Sequence, residues 1–268
     1  YFSLNQGESW QPLQLNLPTV PIHDLAVKDN NLVAATHGRS FWILDDLTLI
    51  RQIDANTTSN AIHLFKPWSS HRYLTSTGAE RPSGPGKNYM LASGVPVTYY
   101  VNKSPNNSST KTFLDAGENP PYGVIVNYYL REAPSSEISL SFLDAKGNVI
   151  KRFTSTKTDD EAELTISPGS NRFVWDMRYP DATKVPGDPM TKNGIRGPVA
   201  PPGTYHVELA NVDNHGNRSL RQSFEILKDP RIGGTEEDLK SQFELLIHIR
   251  DKLSDAHRTI NSIRAIKS

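Results

Sequence analysis

The sequence predicts a mainly β chain that ends in one long α-helix, and three observations carry the prediction. Short runs rich in β-branched and aromatic residues recur over the first 229 residues, with apolar side chains at alternate positions, as in Ile138-Ser139-Leu140-Ser141-Phe142. Between them lie turn-forming stretches, of which Asp144-Ala145-Lys146-Gly147-Asn148 and Asp213-Asn214-His215-Gly216-Asn217 have the composition of hairpin turns. After Gly233-Gly234 the apolar spacing changes to alternating threes and fours, the period of a packed helix. Composition bounds the rest. The 268 residues allow one to three domains at about 100 to 200 residues each. Lys plus Arg equals Asp plus Glu at 29 each, so no net field draws in nucleic acid or an anionic membrane. The absence of cysteine removes disulfide frameworks, thiolate zinc sites and cysteine nucleophiles, without fixing a compartment. No run approaches the roughly 18 apolar residues of a membrane span. Tyr1 is followed by neither a basic region nor a signal core, from which we expect that the natural start lies upstream.

Taken in order, Ser3-Leu4-Asn5-Gln6-Gly7-Glu8-Ser9-Trp10 has the spacing of a tight hairpin. Gly7 supplies a positive φ, Asn5 can accept backbone amides of the turn, and Trp10 is expected to fold down as an apolar plug. Three strand candidates follow, Asp24 to Val27, Leu32 to Thr36 and Ser40 to Asp45, read as a small antiparallel meander. Such a meander buries too little to stand alone, so we expect it to be one sheet of a repeating array. Residues 67–92, rich in Pro, Ser and Gly, are expected to be a linker. Eight strand candidates then fill 93–229: Val95–Val101, Val124–Leu130, Ile138–Leu143, Val149–Phe153, Glu163–Ile166, Arg172–Asp176, Thr204–Ala210 and Ser219–Ile226. That number of short strands argues for a β-sandwich. Residues 230–268 form the helix, with Thr235 as its cap and Glu236, Glu237 and Asp238 on the first turn, where the helix dipole favours negative charge. Leu246, Ile249, Leu253, Ala256, Ile260 and Ile263 make a narrow heptad seam. Such a seam needs a partner helix, in a hairpin or a dimer completed elsewhere.

The opening segment resembles an Asp-box, the S-x-D-x-G-x-T-W hairpin of sialidase-like and sortilin-type β-propellers, with Asn5 for Asp and Ser9 for Thr. Trp10-Gln11-Pro12-Leu13, then Ile22 to Val27, then Ala35-Thr36-His37-Gly38-Arg39-Ser40-Phe41-Trp42-Ile43-Leu44-Asp45-Asp46 extend the likeness. They resemble the last blades of secreted bacterial proteins labelled BNR-repeat glycosyl hydrolases or sortilin N-terminal-like. Gly169 to Asp176 and Pro201-Pro202-Gly203-Thr204-Tyr205 resemble the Ig-like fold of secreted-protein tail domains. The resemblance implies four regions. They are the terminal propeller blade region (1–66), the linker (67–92), an Ig-like sandwich (93–229) and the C-terminal helix (230–268). It also implies a secreted, periplasmic or cell-surface protein, with the remaining propeller blades as first partner.

Candidate chemistry is sparse. His37 and Arg39 flank a flexible Gly38 and could bind an anion or glycan, or Arg39 could simply pair with Asp45 or Asp46. Trp175 could offer a flat sugar platform, although Phe173 on the same face favours core packing. Asp45 and Asp46 are sequence neighbours and point to opposite sides of a strand, which makes them a poor acid/base pair. The acidic run Asp159-Asp160-Glu161 lacks the alternating ligands of a Ca²⁺ loop. His248 and His257, nine apart on the helix, cannot share a metal. No phosphate loop, nucleophile elbow or zinc-protease motif is present. We therefore expect no catalytic residue, metal or cofactor within the chain, and a binding and scaffolding role with the helix as a docking or self-association element. Two alternatives stand beside it. One is part of a glycoside hydrolase whose active site lies on blades outside these residues; the other is a structural assembly subunit joined through the helix seam.

Overall fold

A computed structural model describes residues 1–73, 84–92, 95–103, 109–156, 163–188, 196–213 and 216–267. The chain is mainly β and ends in a helix. In order it forms β1 (Ile22–Lys28), β2 (Asn31–Thr36), β3 (Phe41–Leu44), α1 (Thr48–Gln52), α2 (Ala55–Ser59), β4 (Ile62–Leu64) and β5 (Ser70–Arg72). Then come β6 (Gly86–Ala92), β7 (Val95–Lys103), β8 (Ser109–Phe113), β9 (Val124–Leu130), β10 (Ile138–Leu143), β11 (Val149–Thr154), β12 (Gly169–Trp175), β13 (Gly203–Asp213), β14 (Gly216–Lys228) and α3 (Glu236–Lys267). Two compact units result, Tyr1–Tyr73 with Gly123–Ser268, and Leu74–Tyr122.

The larger unit holds two sheets that meet face to face. One runs β11-β10-β13-β14-β5 and the other β12-β9-β4. Alternation dictates their inner faces. Along β9, Val124, Val126, Tyr128 and Leu130 are fully buried while the residues between them are half-exposed. Phe142 of β10 stacks on Trp175 of β12 at 4.4 Å, and Phe153 of β11 meets Phe173 of β12 at 4.6 Å, so the rings of the two sheets interlock in one core. Tyr128 sends its hydroxyl to the Thr165 carbonyl at 2.5 Å, and burial pushes its pKa up to about 12. The third sheet, β1-β2-β3, is an antiparallel meander in the same unit, turned between β1 and β2 by Asp29-Asn30 with Asp29 at φ 53°.

The smaller unit is a second antiparallel meander, β6-β7-β8, with Val97, Tyr99 and Val101 on its buried face. This changes the expected organisation. The composition of 67–92 suggested a linker, yet it contains strands β5 and β6, and β7, expected in the sandwich, pairs with β6 and β8 instead. Residues 62–72, expected to fall at the end of the blade region and the start of the linker, add β4 antiparallel to β9 and β5 parallel to the end of β14. At three residues each, these strands are too short to show a period. Glu163–Ile166 is not a strand. Leu164 is buried as a plug and its amide donates to the Thr154 carbonyl at 3.1 Å.

Candidate functional site

The hairpin at residues 3–10 closes on its own side chains. Asn5 Oδ1 accepts the Ser9 amide at 2.9 Å, Ser3 Oγ accepts the Gly7 amide at 2.8 Å, and Asn5 Nδ2 donates to Ser9 Oγ at 2.9 Å. Gly7 sits at φ 96°, where only glycine is unstrained, and Phe2 and Gln11 close the base with a pair of backbone bonds. Trp10 lies beside Gly7 but is 61% exposed, so the expected plug is not inserted into a core.

The adjoining meander is open. Register places Leu25 and Val27 on one face and Phe41 and Ile43 on the other, and these four side chains are 56 to 71% exposed. Residues 13–17 lie against the β2–β3 part of one face, leaving β1 uncovered. Among the described residues no strand pairs with the outer edge of β1 or of β3. His37 and Arg39 sit in the exposed β2–β3 turn. The His37 ring lies 4.9 Å from that of His23, and no ion pair joins Arg39 to Asp45 or Asp46.

Sequence reasoning missed the polar knot under this sheet. Asn30 is buried at 3% exposure. Its Nδ2 donates to Asp46 Oδ1 at 2.9 Å and to Thr48 Oγ1 at 2.6 Å, and its Oδ1 accepts Arg51 Nη1 at 2.9 Å. Asp46, at φ 57°, also accepts the Thr48 amide. It is thus committed to holding the end of β3, whereas burial, offset in part by Arg172, raises the pKa of Asp45. Neither is arranged as an acid/base partner of the other. Asn30, Thr48, Arg51, Gln52, Lys66 and Trp68 line a cleft of about 470 Å³ beside the knot. Nothing in the spacing of these residues marks them, because they come from a turn, a short helix and a loop.

Helix α3 begins with a reciprocal cap in which the Asp238 amide donates to Thr235 Oγ1 at 3.1 Å and the Thr235 amide donates to Asp238 Oδ2 at 2.8 Å. It docks on residues 179–186 through a face the sequence reading did not choose. Phe243 meets Tyr179 at 4.7 Å, Arg250 Nη1 donates to the Pro180 carbonyl at 3.0 Å, and Ser254 Oγ accepts the Thr183 amide at 3.1 Å. His257 donates through Nδ1 to the Thr183 carbonyl at 2.6 Å, Asn261 reaches Lys184 at 2.9 Å and Arg264 reaches Pro186 at 2.8 Å. Each of these residues from Arg250 onward follows a seam residue by one position, or about 100° around the helix. The seam itself therefore remains largely uncovered. Leu246, Ile249, Ala256, Ile260 and Ile263 are exposed and Leu253 is half-exposed.

Trp175 is 0% exposed, with its indole N–H donated to the Arg178 carbonyl, which removes it as a ligand platform. Asp159-Asp160-Glu161 and Asn214-His215 lie outside the described residues. Among the described residues no three His, Asp or Glu side chains cluster as a metal site, and no helix is long and apolar enough to cross a membrane. No family model, curated protein or solved structure matches the chain.

Proposed function

We propose that this chain is a non-catalytic binding and scaffolding part of a secreted Asp-box propeller protein. In this reading the residues through β3 carry the terminal blade region, the two face-to-face sheets, β4 and β5 included, are an Ig-like sandwich, and α3 is a docking element. One observation carries the proposal. Strands β1 to β3 are correctly paired, yet leave Leu25 and Val27 open on one face and Phe41 and Ile43 open on the other. A single sheet with both faces apolar and, among the described residues, both edges free is what one member of a stacked array looks like without its neighbours. The hairpin supports it further, because Asn5 makes the amide contact that the Asp of an Asp-box would make.

The reading is tested by the natural coding sequence upstream of Tyr1. More hairpins of the Ser-x-Asp-x-Gly type and a secretion signal are expected there; an initiator Met next to Tyr1 with no such hairpin would overturn the kinship. Incubating the upstream-extended protein with a glycan panel gives binding without turnover on this reading. Hydrolysis abolished by substituting a carboxylate upstream of Tyr1 would replace it with the glycoside hydrolase alternative.

A further inference from the structure

We infer that the open seam of α3 pairs with the same seam of a second copy of this chain, antiparallel, about a two-fold axis near Ser254–Asp255. The inference rests on the reading of α3 as a docking element and names its partner. Three observations on the helix converge on a second copy. The first is register. Setting Leu253 against Ala256 of the partner subunit places Ile249 against Ile260 of the partner subunit and Leu246 against Ile263 of the partner subunit, so that each seam residue finds an apolar counterpart.

The second observation concerns two residues that the seam alone does not use. Leu245 is 61% exposed and Ile266, at 84%, is among the most exposed apolar side chains of the chain. Both flank the seam on the side away from residues 179–186, and the same antiparallel register brings Leu245 of one copy beside Ile266 of the partner subunit. A parallel pair would instead turn Leu245 and Ile266 toward the docked flank of the partner subunit and leave the seam without its large-to-small fit at Leu253 and Ala256.

The third is charge. From Glu236 to Asp251 the helix carries five acidic and two basic side chains, and from Lys252 to Lys267 it carries four basic and one acidic. Antiparallel pairing sets each acidic half against a basic half and opposes the helix dipoles, whereas parallel pairing sets like against like. The docked face, Arg250, Ser254, His257, Asn261 and Arg264, lies about 100° away and stays in place on the body of its own chain.

The chain has no cysteine, so introduced thiols report without background. Sedimentation of the full chain should show a concentration-dependent dimer, weakened at least tenfold by Ile249→Lys or Ile260→Lys, both at exposed positions that leave the fold intact by circular dichroism. Under mild oxidation Leu246→Cys and Ile263→Cys should cross-link when mixed and not alone. Cross-linking of Leu246→Cys to itself would overturn the antiparallel pairing. A monomer whose Ile249→Cys and Ile260→Cys thiols are alkylated at the rate of a free peptide would overturn the second copy while leaving the docking reading standing. A monomer in which those thiols are protected would overturn both.

Discussion

At the scale of single residues, Asn30 is the clearest case of a side chain whose role is set by burial. Its amide joins Asp46 and Thr48 to Arg51, and all its polar atoms are used. Asn30→Ala leaves three polar groups without their shared partner and should cost about 1–3 kcal/mol of stability by urea unfolding. A loss below about 0.5 kcal/mol, the range of an ordinary surface change, would show that the knot is not structural. Gly197 is constrained by space. A β-carbon there would fall 1.8 Å from the Tyr179 carbonyl oxygen, on the segment that carries α3. Gly197→Ala should lower the thermal midpoint and speed hydrogen exchange in α3 together; a change in one alone would break the proposed link. Asp229 gives a pH signature. Its hydrogen bonds with Arg231, at 2.8 and 2.9 Å, hold the carboxyl at about 2, below its usual value near 3.9. The unfolded chain then binds the extra proton first as the pH falls. The stabilisation is complete above about pH 4 and is lost toward pH 2. Asp229→Asn should flatten the stability profile in that window and leave its shape above pH 5 unchanged.

At the scale of elements, what could be read in advance followed from period and cap chemistry. Strands β9 and β10 lie where their apolar residues alternate, and α3 starts at the Thr235 cap with its acidic first turn. Strands β4 and β5 were illegible because three residues contain no period, and their place is set by the partners β9 and β14 far along the chain. The helix shows the same limit from the other side. Its apolar seam was legible, but from Arg250 onward the face that docks is polar and works through main-chain carbonyls of residues 180–186, which no hydrophobic pattern can announce. In the candidate site, the hairpin at Ser3–Trp10 was legible as a local motif, whereas the knot around Asn30 unites residues up to 21 apart and was not. The open strand makes a contrasting prediction. Leu25→Ser and Val27→Ser should each change the stability of this chain by less than about 0.5 kcal/mol, because their side chains already face water. A loss of about 2 kcal/mol, the cost of removing a core aliphatic, would mean that β1 is covered.

At the scale of the whole molecule, the two aromatic-packed sheets can stabilise themselves, while among the apolar residues of the first 50 only Ala34 of β2 and Leu47, just beyond β3, are buried. That imbalance is the physical ground for treating the first sheet as a member of a larger array. Native-state hydrogen exchange of this chain, alone and joined to the upstream polypeptide that the propeller proposal expects, tests it. Alone, amides of Ile22–Leu44 should exchange through local opening well below the free energy that protects Val124–Leu130, and upstream polypeptide should raise their protection toward that level. Protection of Ile22–Leu44 equal to that of Val124–Leu130 in the chain by itself would contradict the open sheet.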